Sequence, residues 1–231
     1  MRKMHPVLFI AILALLLPLA CGAGGEKSST PAKAAAPAKP CAAQDFAKLK
    51  GMKGFSDQAL ELHFTLYQGY VKNTNTLLEQ LAQMAAEGKA GAPAYAELKR
   101  RFGWEWNGMR LHELYFGNLG GKEPLKKDSP LMAKLEAGFG SYDAWQADFK
   151  ATGAMRGIGW VVLYQDQESG RLVNAWINEH DLGHLAGATP LLIMDVFEHA
   201  FLPDYGLKRA DYINAFFNNI NWPAVEGRLG K

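Results

Sequence analysis

An α+β fold is predicted: an N-terminal helical hairpin lobe, then a C-terminal lobe in which helices surround a three-stranded antiparallel sheet. Three observations predict it. Apolar side chains recur every three to four positions over two long stretches between residues 57 and 117. Between 159 and 196 that period gives way to short apolar runs rich in β-branched and aromatic residues. Helical spacing then returns near residue 205.

The first 44 residues of the 231 do not read as folded protein. Arg2 and Lys3 precede an apolar run from Val7 to Leu17, too short for a bilayer helix of about 20 residues but suited to the apolar core of a signal peptide. The chain is therefore expected to be exported, to a periplasmic or cell-envelope location. The run ends Leu-Pro-Leu-Ala-Cys, which resembles the lipobox of bacterial lipoproteins and implies an acylated Cys21 and a membrane anchor. Pro18 stands where the lipobox usually has leucine, and simple cleavage near Ala20 or Ala23 is the alternative. Residues 22–44 are rich in Ala, Pro, Lys, Ser and Gly and bury too little apolar area to offset chain entropy, so they read as a linker. Cys21 and Cys41 are the only cysteines, both before the predicted globular part, so disulfides are not expected to hold the fold.

From Asp45 onward acidic and basic residues nearly balance, because five Lys/Arg and a single acid fall earlier. That balance gives no support to nucleic-acid binding, which shows a clustered basic face. Two lobes are expected, 45–125 and 126–231, and the sequence has no internal repeat.

In the first lobe, Leu60, His63, Tyr67, Tyr70, Val71, Leu77 and Leu78 predict a helix over Asp57–Ala86 with Ser56 as its N-cap. Gly88, Gly91 and Pro93 turn the chain, and Ala94–Gly117 predicts a second, antiparallel helix that carries His112. Residues 122–130 are polar and turn-rich. Pro130–Phe139 and Ser141–Ala151 read as helices. Gly159–Tyr164 and Arg171–Ile177, separated by a turn over 165–170, predict a hairpin; Leu191–Val196 is the third strand, and helices around Tyr205–Phe217 close the chain.

The chemistry concentrates near the end. MDVFEHAF places Asp195 four residues before His199 in an otherwise apolar run. A carboxylate buried without a partner costs several kcal/mol, so Asp195 is expected to hold a cation or a strong donor. Five histidines lie beyond the leader, at 63, 112, 180, 184 and 199. His63 falls on the apolar face of the first helix, and His112 in the aromatic run FGWEWNGMRLHELYF. Taken singly, each fits a hydrogen-bonded core residue as well as a ligand. Three imidazoles with one carboxylate would form a nitrogen and oxygen donor set without thiolate, suited to iron, manganese or zinc.

The segments LELHFTLYQGYVKNTN, NGMRLHELYFGNL, GIGWVVL and LLIMDVFEHAFLPDYGLKRADYINAFFNNINW resemble, in order and spacing, the iron/manganese superoxide dismutases across nearly all of 45–231. The resemblance implies that His63, His112, Asp195 and His199 ligate one iron or manganese ion per subunit, with solvent as a fifth ligand. It implies disproportionation of superoxide to oxygen and hydrogen peroxide, an antioxidant activity. The usual glutamine that bonds the bound solvent is absent from the helix, where Gly108 stands, and alignment with the family's sheet puts His180 in that role, with His184 close by. Tyr70 matches the gateway tyrosine, Trp160 the wall of the pocket, and Arg209 the arginine that attracts the anion. Glu198 matches the residue that bridges to the last histidine ligand of the partner subunit, which implies a homodimer.

Several positions depart from the family. One residue is missing between His63 and Tyr70, as though the first helix lacked a bulge; the gateway histidine is replaced around Leu66 or Tyr67, and the tyrosine that bonds it by Leu202. Other tryptophans are replaced by Phe116, Val162 and Phe197, so the substrate funnel is expected to differ and catalysis to be weaker. Two other readings follow from these departures and from the donor set: a non-catalytic metal-binding or interaction module on the same scaffold, and a zinc hydrolase.

Overall fold

The computed structural model describes residues 39–230. The predicted signal peptide, Cys21 and most of the predicted linker lie outside the described residues. After a single 3-10 turn at Ala47–Leu49, α1 (Asp57–Ala86) and α2 (Pro93–Gly117) form the hairpin. Ser56 caps α1 by accepting from the Ala59 N–H, and Pro93 opens α2, where its missing donor costs nothing. Helices α3 (Pro130–Phe139) and α4 (Tyr142–Gly153) each start from a capping serine, Ser129 and Ser141.

Strands β1 (Gly159–Asp166), β2 (Leu172–Asn178) and β3 (Ala188–Asp195) form an antiparallel sheet in the order β2-β1-β3. The α+β architecture is the predicted one. Central β1 is buried on both faces nearly throughout, which its continuous apolar run GWVVLY anticipates. Trp160 on β1 pairs with Ile177 on β2 and with Asp195 on β3, so the register alone sets Trp160 beside the carboxylate.

Helices α5 (Glu198–Tyr205), α6 (Arg209–Phe217) and α7 (Trp222–Glu226) complete the fold. Most other boundaries match or shift by one or two residues, and two regions differ more. The third strand begins at Ala188 rather than Leu191 and ends at Asp195, since Pro190 lacks a donor but sits on an edge strand that tolerates it. The last helices begin at Glu198 rather than near Tyr205, and Gly206–Lys208 interrupt them. Pro203 inside α5 concealed that helix in the sequence.

Cys41, read as part of the linker, is half-buried. Its N–H donates to Asn75 Oδ1 at 2.8 Å and its carbonyl accepts from Asn75 Nδ2 at 2.9 Å, which pins the incoming chain to α1. The main core joins the sheet to α2, α3, α4 and α6 through Phe116, Leu135, Trp145, Trp160, Ile193 and Phe216, all fully buried.

Candidate metal centre

His63 and His112 come from the facing sides of the hairpin, Asp195 from the last position of β3, and His199 from the first turn of α5. Their potential ligand atoms all lie within 4.8 Å of one another, a convergence of groups from positions as far apart as 63 and 199. The Nε2 atoms of His63 and His199 each stand 3.2 Å from Asp195 Oδ2, and that of His112 stands 3.7 Å away.

Local structure explains why one carboxylate oxygen faces all three rings. The Phe197 N–H donates to Asp195 Oδ1 at 2.8 Å, and the Tyr212 hydroxyl donates to the Asp195 carbonyl at 2.6 Å. These bonds hold the end of β3 and leave Oδ2 directed at the histidines. Burial alone would raise the Asp195 carboxyl, but the electrostatic attraction of the His199 and His63 rings and the hydrogen bonds to them outweigh it and hold the group well below the usual carboxylate range.

His112 supplies the test of fit. Its Nδ1–H donates to the Gly108 carbonyl at 2.5 Å, which leaves Nε2 as the lone-pair nitrogen of a neutral ring. Burial and the neighbouring His63 keep that ring from protonating. Its Nε2 is buried without a hydrogen-bond partner and faces a carboxylate oxygen that is itself electron-rich. A lone pair opposed to an oxygen anion in a dry interior is costly unless a cation lies between them. Burial lowers His63 as well. Neutral imidazoles and one ionised carboxylate are the protonation states that a metal requires.

The surrounding residues form a second ordered layer. Trp160 Nε1–H donates to His180 Nδ1 at 3.1 Å, so the hydrogen of the neutral imidazole resides on Nε2, which donates to the Tyr70 hydroxyl at 2.8 Å. His180 is fully buried; desolvation pulls it down to about 4, so it is neutral at physiological pH. Desolvation, with the Asp195 charge, pushes Tyr70 up to about 12. The Tyr70 ring stacks on His112 at 5.2 Å, and Phe197 stacks on both His180 and His199, at 4.7 and 5.3 Å.

Gly108 makes the Tyr70 placement possible. A Cβ there would stand 2.5 Å from Tyr70 Cδ1, so the space left by the missing side chain holds the tyrosine ring itself. His184 lies outside this layer: it is exposed, and it bonds the Tyr164 hydroxyl and the His180 carbonyl. Helix α1 runs unbroken through His63 and Tyr70, as the missing residue implied. Tyr67 is buried and its hydroxyl is committed to Glu113 and to the Gln44 N–H, while Leu66 is half-buried. Phe116 packs 4.9 Å from His63, and Val162 is buried in β1.

Arg209 and Glu198 border a surface cavity with Ile158, Phe201, Leu202 and Leu207. Arg209 donates to the Gly157 carbonyl and lies over the rings of Trp176 and Phe201, while its Nε and Nη2 are buried without an acceptor. Glu198 is exposed and makes no hydrogen bond or ion pair among the described residues.

Sequence reasoning missed Tyr212 and Tyr115. Their hydroxyls lie 3.2 Å apart, fully buried, behind Asp195 and His63. The signal was present in RADY, whose tyrosine falls on the inner face of α6, but its bond to a backbone carbonyl leaves no trace in a pattern of residue types. Trp104, whose ring meets His180 edge-on at 4.8 Å, was missed for the same reason.

Comparison with known proteins agrees with this geometry. The family model for the C-terminal domain of iron/manganese superoxide dismutases matches residues 127–228. The iron superoxide dismutase of Aquifex pyrophilus is 41% identical over 196 residues, covering 81% of this chain and 90% of that protein. That of Cupriavidus metallidurans is 40% identical, covering 77% and 90%. A manganese superoxide dismutase of Haloferax volcanii is 37% identical, covering 75% and 86%.

Proposed function

The chain belongs to the iron/manganese superoxide dismutase family, and from that premise we propose that it removes superoxide outside the cytoplasm as a homodimer anchored through Cys21. The enzyme holds iron or manganese at His63, His112, Asp195 and His199. The observation that carries its function is the buried His112 Nε2, without a hydrogen-bond partner and facing Asp195 Oδ2, an opposition of lone pair and carboxylate that a cation between them relieves.

When bound, the metal supplies the one-electron exchange by which two superoxide anions become oxygen and hydrogen peroxide. Zinc, with no accessible redox change, cannot do so. The chain's own residues handle position, water and protons. Phe116, Phe197 and Trp160 crowd the histidines with apolar surface and limit solvent there.

Peroxide formation consumes protons. With His180 Nε2–H directed at the Tyr70 oxygen, Tyr70 keeps its own hydroxyl hydrogen for another acceptor, and burial keeps that hydroxyl protonated. The line Trp160–His180–Tyr70 thus sets the orientation of a proton donor at Tyr70 Oη. Arg209, its charge uncompensated by any ion pair among the described residues, favours approach of the anion.

Exported location and acylation rest on Arg2, Lys3, the apolar run Val7–Leu17 and the Ala20–Cys21 junction. The dimer reading rests on Glu198, exposed without an in-chain partner one residue from His199, beside apolar side chains left open at Ile158, Leu202 and Leu207.

Fractionation of cells expressing the full chain tests this reading. The expected result is metal-dependent superoxide consumption in the envelope fraction, from a dimer whose mature N-terminus is an acylated Cys21 by intact mass. Activity confined to the cytoplasm, with Met1 retained, would overturn it.

A further inference from the structure

We propose that the outer stripe of α2 formed by Tyr95, Lys99, Phe102, Trp106 and Arg110 is a docking face for an anionic phospholipid surface. These residues recur at intervals of three and four, which puts them on one side of the helix. None is acidic. The charged members at 99 and 110 are exposed and the three aromatic ones half-buried. Trp106 reaches the core, whereas Tyr95 and Phe102 do not pack against it.

Cations lie on rings at both ends of the stripe: Lys99 Nζ stands 5.5 Å from the Tyr95 ring centre, and the Arg110 guanidinium 4.9 Å from that of Trp106. Phe102 and Trp106 lie 5.6 Å apart between them. Amphipathic rings alternating with long cationic side chains suit the headgroup layer, where rings reach the acyl boundary and cations meet phosphate. The adjoining Arg100 and Arg101 bring the basic residues of 95–110 to four; Arg100 pairs with Glu97, Arg101 with the buried Glu105 and Arg110 with Glu113, so Lys99 is the cation of the stripe with no ion pair among the described residues.

A second observation ties the stripe to a membrane. The chain enters the described structure beside it: the Gln44 N–H donates to Tyr67 Oη at 2.9 Å, Tyr67 donates to Glu113 Oε1 at 3.0 Å, and Arg110 donates to Glu113 Oε2 at 2.6 Å before lying over Trp106. Residues 22–38 connect Cys21 to this point, and whatever their conformation they span at most about 60 Å. A tether of that length raises the local concentration of the domain at the bilayer, so a weak contact suffices to seat it.

Docking there leaves the centre free, because α2 presents Trp104, Gly108 and His112 on other sides. The inference leans on the proposed anchor for its geometry, but the stripe is testable without acylation. The full-length, metal-loaded chain carrying Cys21→Ser would be sedimented with vesicles of phosphatidylethanolamine and phosphatidylglycerol, and with vesicles of phosphatidylcholine alone. The expected result is salt-sensitive binding to the first only, weakened about ten-fold or more by Lys99→Glu with Arg100→Glu and similarly by Phe102→Ala with Trp106→Ala. Dismutase activity and the circular dichroism spectrum of each variant should match the parent. Equal sedimentation with both lipids, no sedimentation, or variants that bind as the parent does would overturn the proposal. Binding to native membranes but not to their extracted lipids would assign the face to an envelope protein and overturn it too. Failure of the anchor itself reads out separately, as a Cys21 without acyl mass in the native protein.

Discussion

His112 shows how a single side chain can point to a cation site. Its Nδ1 is occupied by the Gly108 carbonyl, so the other nitrogen has no hydrogen to offer the carboxylate 3.7 Å away. Replacement by alanine should remove one donor and reduce bound metal, which elemental analysis per chain would record. Gly108 acts on the same site through space. Gly108→Ala gains about 1 kcal/mol of helix propensity, yet the Cβ would meet Tyr70 Cδ1 at 2.5 Å. Overpacking of about 1–3 kcal/mol outweighs that gain. Tyr70 should move, and turnover should fall roughly ten- to a hundred-fold at unchanged metal content.

Trp160→Phe removes the donor that fixes the His180 tautomer and should cost on the order of ten-fold in turnover with metal retained, measured by superoxide decay and metal analysis together. At this scale the sequence was legible where residue type alone carries the chemistry. Asp195 and His199 stood out because a carboxylate four residues before an imidazole is rare in an apolar run. Tyr115, Tyr212 and Trp104 did not stand out, because their roles depend on which hydroxyl, carbonyl or ring edge they meet across the fold.

The elements place these side chains, and each does so through its own local physics. Helix α1 runs for 30 residues without interruption, which puts His63 and Tyr70 about two turns apart on the inner side. Its start rests on Ser56, and Ser56→Ala should lower unfolding free energy by about 1 kcal/mol, measured by denaturant titration. The bounds of α1 were readable from periodicity and from Ser56 as its cap, and α3 spans the expected Pro130–Phe139. Helix α5 was not, since Pro203 argues locally against a helix that begins only five residues earlier, at Glu198. Strand β1 contributes most to the sheet's burial: Leu163 is fully buried between β2 and β3, and Leu163→Ala should cost about 2–5 kcal/mol by the same titration.

Over the whole molecule, buried imidazoles give the metal-free protein a predictable response to acid. Burial lowers His63, His112 and His180 below the unfolded value, His180 to about 4. The unfolded chain therefore binds more protons than the folded one once pH falls below about 6.5. Stability of the apoprotein should decrease from neutrality toward about pH 4, read from thermal midpoints across that range. Asp195, whose folded carboxyl is held low, contributes in the same direction at still lower pH. Bound metal should raise the midpoint, because it binds the folded site and not the dispersed ligands. The overall α+β arrangement followed from two periodicities and their order along the chain. The convergence of residues 63, 112, 195 and 199 did not follow from periodicity, because contacts across more than a hundred residues leave no local pattern; the family resemblance supplied it.

Superoxide consumption per bound metal, measured on the purified full chain with iron, manganese or zinc supplied separately, tests the central claim most directly. Iron or manganese near one ion per chain, with rapid superoxide decay proportional to that metal and none with zinc, is the expected result. A chain fully loaded with either iron or manganese that leaves superoxide to decay at its spontaneous rate would contradict it.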